Sequence, residues 1–96
     1  MSPNNKKKLN LIRIKLDKLD TSLLYLIKSR SKLVNEVLKL KEFKNEIVDN
    51  KRINFILNKI NKKSKKLKID PKITKRIWKN MIWSFINYER RNFKKK

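Results

Sequence analysis

Cysteine, histidine and glycine are all missing from the 96 residues, proline occurs twice, and only eight side chains are acidic. Without cysteine there is neither a disulfide framework nor a thiolate metal site, and without histidine the commonest general base and metal ligand is gone. The lack of glycine argues against tight hairpins and against a glycine-rich loop that cradles phosphate. No run of roughly 18 apolar residues exists to span a membrane. The basic start, Met1 to Lys8, has no apolar stretch behind it of the kind a secretory signal needs. A cytoplasmic chain is expected, and its chemistry has to come from lysine, arginine and carboxylates, with no metal or other cofactor.

Positive charge is what the chain has in abundance, 29 lysines and arginines for a net +21. Such a balance ordinarily points to nucleic acid or an anionic surface. Lysine, asparagine and isoleucine together fill close to half of the positions, however, which is what an AT-rich coding sequence would impose wherever a surface tolerates it. The lysines also spread over the whole chain instead of gathering in one stripe, so nucleic acid is not the expected partner. The six arginines are more informative. Arginine carries a planar five-donor fork, and Arg13, Arg30 and Arg52 are candidates for gripping carboxylates in a bidentate manner. Arg90 and Arg91, beside Lys94 to Lys96, read as surface charge.

Hydrophobic spacing predicts an all-α fold of three helices. Leu9, Ile12, Leu16, Leu19, Leu23, Leu26, Leu33, Val37 and Leu40 recur at three-four intervals, the seam of a helix from about Lys7 to about Phe43. One seam position is filled by Arg30, which asks for an anionic partner. Lys44 to Val48 form a polar connection. Asp49 reads as an N-cap ahead of Ile53, Ile56, Leu57 and Ile60 on one face of a second helix, which the lysine-rich stretch Lys62 to Lys68 ends. Asp70-Pro71 is the sharpest boundary, a cap followed by a proline whose missing N–H costs nothing there. Ile73, Ile77, Trp78, Met81, Ile82, Phe85, Ile86 and Phe93 then mark the buried side of a third helix. Glu89 is the one acid on that helix's apolar stripe. The chain is expected to be a single domain, 1–96, with basic tails at 1–7 and 94–96.

A helix of that length needs a long partner, and a chain this short buries only roughly 60–70% of its unfolded surface, so a second copy is the first thing to expect. At about 1.5 Å per residue, Arg13 and Arg30 stand roughly 25 Å apart on one straight helix. No small ligand touches both. Arg30 and Lys41 are about three turns apart and therefore share a face. If a second copy packs antiparallel across a two-fold near residues 22 to 25, its Arg13 falls between Arg30 and Lys41. Two equivalent cationic pockets result, each built from both chains.

Leu11-Ile12-Arg13, Leu19-Asp20, Leu26-Ile27-Lys28-Ser29-Arg30, Leu33-Val34, Lys39-Leu40-Lys41, Ile47-Val48-Asp49 with Arg52, Leu67-Lys68-Ile69-Asp70-Pro71, Trp78, Met81-Ile82, Phe85-Ile86 and Tyr88-Glu89 together resemble the all-helical AroQ-type chorismate mutases. The resemblance covers roughly residues 9 to 93. It implies an intertwined antiparallel homodimer of three-helix subunits that rearranges chorismate to prephenate, on the route to phenylalanine and tyrosine. By position, Arg13 of the partner subunit and Arg30 would hold the substrate's two carboxylates. Lys41 and Glu89 would flank the ether oxygen, Arg52 and Asp49 would sit at the ring-hydroxyl end, and Phe85 would line the pocket. A Claisen rearrangement is unimolecular and needs no nucleophile or proton shuttle, which suits this composition.

Two positions depart from the family pattern. Ile53 stands where most members carry glutamate, and isochorismate-pyruvate lyases of the same fold also lack that glutamate, so the lyase is the alternative activity. Glu89 stands where many bacterial members have glutamine. It has to be protonated to donate to an ether oxygen, and turnover is accordingly expected to fall as pH rises through its titration.

Overall fold

The structure, a computed structural model, describes residues 1–95. Among these there are three α-helices and no strand: α1 spans Pro3–Leu40, α2 Asn50–Lys66 and α3 Pro71–Asn92, with one 3-10 turn at Lys44–Glu46 between the first two. The chain divides into two compact units, Met1–Leu33 and Val34–Lys96.

Local capping chemistry accounts for the helix ends. α1 starts at Pro3, earlier than the hydrophobic pattern places it, because Ser2 acts as the cap: its Oγ accepts from the backbone N–H of Asn5 at 3.2 Å. A serine followed by proline at the first helical position is the same arrangement as Asp70-Pro71. Asp49 Oδ1 accepts from the Arg52 N–H at 3.0 Å to begin α2, and Asp70 Oδ1 accepts from the Lys72 N–H at 3.0 Å to begin α3. Both caps are where the sequence puts them.

The end of α2 shows how the chain manages without glycine. The Ile69 N–H bonds to the Ser64 carbonyl at 2.9 Å and the Lys68 N–H to the Lys65 carbonyl at 3.2 Å, the paired pattern that closes a helix through a left-handed residue. That residue is Lys68, with φ of 59°. Glycine normally fills such a position, because a side chain there costs about 1–2 kcal/mol. Lys68→Gly is expected to raise the stability by about 1 kcal/mol, read as an upward shift of the thermal midpoint. An unchanged or lowered midpoint would contradict this account of the turn.

In the C-terminal unit the core is small. Leu38, Ile47, Ile82 and Ile86 are buried, with Val48, Ile53, Ile56, Leu57 and Phe93 packed around them. Across the α2–α3 hairpin the buried hydroxyls of Ser64 and Thr74 meet at 2.7 Å, and Ser64 also donates to the Ile60 carbonyl at 2.7 Å. Thr74 Oγ1 also lies 3.4 Å from the Pro71 carbonyl, so each hydroxyl has a backbone acceptor besides the other hydroxyl. Thr74 thus faces α2, on a row of α3 separate from Ile73 and Ile77. Ile73 and Ile77, expected on the buried side, are 55% and 53% exposed.

The first helix ends at Leu40, short of the expected Phe43. Past the 3-10 turn that follows, Ile47 is buried to 3% exposure. The N-terminal unit keeps its apolar residues in the open: Leu16, Leu19, Leu23 and Leu26 are all more than half exposed. From Leu23 to Ile27 five consecutive apolar residues are exposed, so the apolar surface there surrounds the helix instead of forming one stripe.

Candidate active site

Lys41, the first residue past α1, and Glu89, near the end of α3, meet across 48 positions of sequence. Lys41 Nζ donates to both carboxylate oxygens, at 3.2 Å to Oε2 and 3.4 Å to Oε1. Neither group is well solvated, the side chains being 16% and 7% exposed respectively. Glu89 lies on the face of α3 that also carries Ile82 and Ile86, which is why a carboxylate reaches the interior at all. A buried acid meeting a cation at this range is a charge-assisted pair of the kind that a low local dielectric strengthens.

Beside this pair opens a cleft of about 510 Å³ lined by Lys41, Glu46, Val48, Asp49, Asn50 and Lys51. Asp49 has two tasks available, capping α2 through one oxygen and facing the cleft. Arg52 follows in the first turn of α2, where its charge opposes the helix dipole. Its guanidinium carbon lies 5.3 Å from the centre of the Phe55 ring, and Lys59 Nζ lies 5.9 Å from the same ring. Both are within the range of cation–π attraction. Phe85 is half-buried on α3, one helical turn before Glu89. Ile53 packs against the core cluster, so the residue after Arg52 brings no carboxylate to this end of the cleft.

Of the residues singled out from sequence, the C-terminal unit thus assembles Lys41 with Glu89 and sets Asp49 on the same cleft as Lys41. Arg13 and Arg30 belong to the N-terminal unit, both on α1, Arg13 exposed and Arg30 half-buried. Because α1 ends before Lys41, the expected sharing of one continuous helical face by Arg30 and Lys41 does not hold as a helical argument. Tyr88, quoted above only for its place beside Glu89, turns out to have a structural bond of its own: its hydroxyl donates to Asn35 Oδ1 at 2.8 Å. Asn35 carried no signal, being one of twelve asparagines in a chain rich in them.

Residues 12–90 match the sequence model of the family chorismate mutase type II. The chain belongs to that family. The match runs from the first arginine-bearing turn of α1 to the residue after Glu89, and so takes in Arg13, Arg30, Lys41, Asp49, Arg52 and Glu89. No curated protein and no solved structure matches the chain significantly. Among the described residues, no helix is long and apolar enough to cross a membrane.

Proposed function

We propose that the protein is a chorismate mutase, converting chorismate to prephenate by an intramolecular Claisen rearrangement. In that reaction the ether C–O bond breaks as a new C–C bond forms within the same molecule, and partial negative charge grows on the ether oxygen. The catalyst's task is to hold the compact conformer and to oppose that charge. The observation that carries the reading is the Lys41–Glu89 pair, a cation and an acid largely withdrawn from water, the two residues that the resemblance implies beside the ether oxygen. Lys41 supplies a fixed donor, and Glu89 orients it. Arg30 and Arg13 of the partner subunit bind the two carboxylates, Asp49 and Arg52 meet the ring-hydroxyl end, and Phe85 packs against the substrate's apolar side.

The reading includes an antiparallel homodimer. Its support is the exposed apolar surface of α1 from Leu16 to Ile27, together with Ile73 and Ile77 on α3. An isolated helix is marginal in water, and so much uncovered leucine and isoleucine is the surface of an obligate interface. A second copy is the occupant that supplies equal apolar length and repeats the contact by symmetry.

Purified protein is expected to consume chorismate, followed by loss of its ultraviolet absorbance, with prephenate as the product. Isochorismate offered in parallel is expected to survive. Release of salicylate and pyruvate from isochorismate without turnover of chorismate would assign the protein instead to the lyase, which the apolar Ile53 also accommodates.

A further inference from the structure

We infer that Tyr88 and Asn35 are positioning residues for the reaction: their hydrogen bond sets the placement of Lys41 against Glu89 and thereby the rate of the chemical step. The inference rests on the chorismate mutase reading above and adds two residues to it. Tyr88 is the immediate neighbour of Glu89, and Asn35 lies six residues before Lys41, both within the unit Val34–Lys96. The Tyr88 O–H donates to Asn35 Oδ1 at 2.8 Å, shorter than either contact of the Lys41–Glu89 pair it adjoins.

Apolar packing offers little else to fix this end of α1. Leu38 is the one buried residue of α1 among those described, and a single leucine among Ile82 and Ile86 does not define a rotation or a rise along the helix axis. Polar bonds with directional geometry do. The Lys95 ammonium donates to the Lys39 carbonyl at 2.6 Å, which satisfies one of the orphan acceptors at the end of α1 but holds only by a long flexible side chain. The Tyr88 phenol is rigid beyond two torsions, and its bond to Asn35 is a short, directional link from α3 to the last turns of α1, just before Lys41. A displacement near 1 Å at a reacting centre costs up to about 10²-fold in rate, so a partial release of this link is visible in kcat.

Tyr88→Phe removes one oxygen and keeps the ring. Its kcat for chorismate is expected to fall about tenfold with KM within about twofold of the parent. Asn35→Leu is expected to reproduce that loss, whereas Asn35→Asp, which keeps an acceptor, retains most of the rate. Because the effect acts through Lys41, Tyr88→Phe is expected to add nothing in a Lys41→Ala background. An unchanged kcat in Tyr88→Phe, a loss confined to KM, or a full multiplicative loss on top of Lys41→Ala would each overturn the inference while leaving the mutase assignment in place. Full activity of Lys41→Ala itself would remove the assignment, and this proposal with it.

Discussion

Lys41→Ala is expected to lower kcat for chorismate by about 10²–10³-fold, the usual consequence of deleting one preorganised donor at a developing oxyanion. The same substitution also strips the buried Glu89 of its ion partner. Removing one member of a buried pair destabilises by about 3 kcal/mol or more, since the remaining charge has neither water nor counter-ion. The two effects separate in a cycle with Glu89→Gln. In the double variant no charge is left behind, so the thermal midpoint is expected to return most of the way to the parent value. The rate is expected to stay at least about 10²-fold down, because the donor Lys41 supplied is still missing. Should activity recover together with stability, Lys41 would be a structural cation and the proposed mechanism would lose its centre. The test is informative because both side chains are largely withdrawn from solvent, at 16% and 7% exposure, where an ion pair matters to folding as well as to catalysis.

Mixing two inactive variants is expected to restore activity if each site draws on two subunits. Arg13→Ala and Arg30→Ala homodimers each lack one carboxylate anchor in both pockets, and each is expected to lose about 10²-fold or more in kcat/KM. After unfolding and refolding an equal mixture, about half of the dimers carry one chain of each kind, and each of these has one pocket with both arginines intact. The mixture is then expected to show about a quarter of parental activity per chain. A mixture no better than its components would mean that Arg13 and Arg30 do not meet across an interface. The distance on one chain makes the test decisive, since about 25 Å of helix separates the two side chains and no single chorismate bridges them. It also examines the dimer by its function, which the exposed leucines of α1 support only through their apolar area.

The parts of this molecule that could be read from the chain are those governed by hydrogen bonds and side chains within a few residues of each other. Asp49 and Asp70-Pro71 announce helix starts because a carboxylate two or three residues from an open N–H has one natural use. Glu89 declares itself as the one acid on an apolar stripe, and burial at 5% exposure agrees. The ordered set of short motifs, with the spacings of Arg13, Asp20, Arg30 and Lys41, pointed to the family that the match over residues 12–90 shows.

Less legible was everything that depends on how one element meets another. Helical periodicity carried α1 on to Phe43, but the helix stops at Leu40 and Lys41, just past its end, reaches Glu89 on α3. The same periodicity placed Ile73 and Ile77 on the buried side, whereas both are more than half exposed in the single chain. Nothing in a glycine-free sequence marks Lys68 for a left-handed turn; the position is forced on it by the carbonyls of Ser64 and Lys65.

By itself, then, the sequence determined the class of the fold, the starts of α2 and α3, and the inventory of cations and acids from which any site here must be built, because capping and amphipathic spacing act over one or two turns of chain. Only the tertiary structure decided which side chains the singled-out residues meet. Lys41 is distinguished by its contact with Glu89, and Tyr88 by its bond to Asn35, at separations of 48 and 53 residues. Contacts at that range depend on the packing of whole helices, and the local pattern of residues does not encode them.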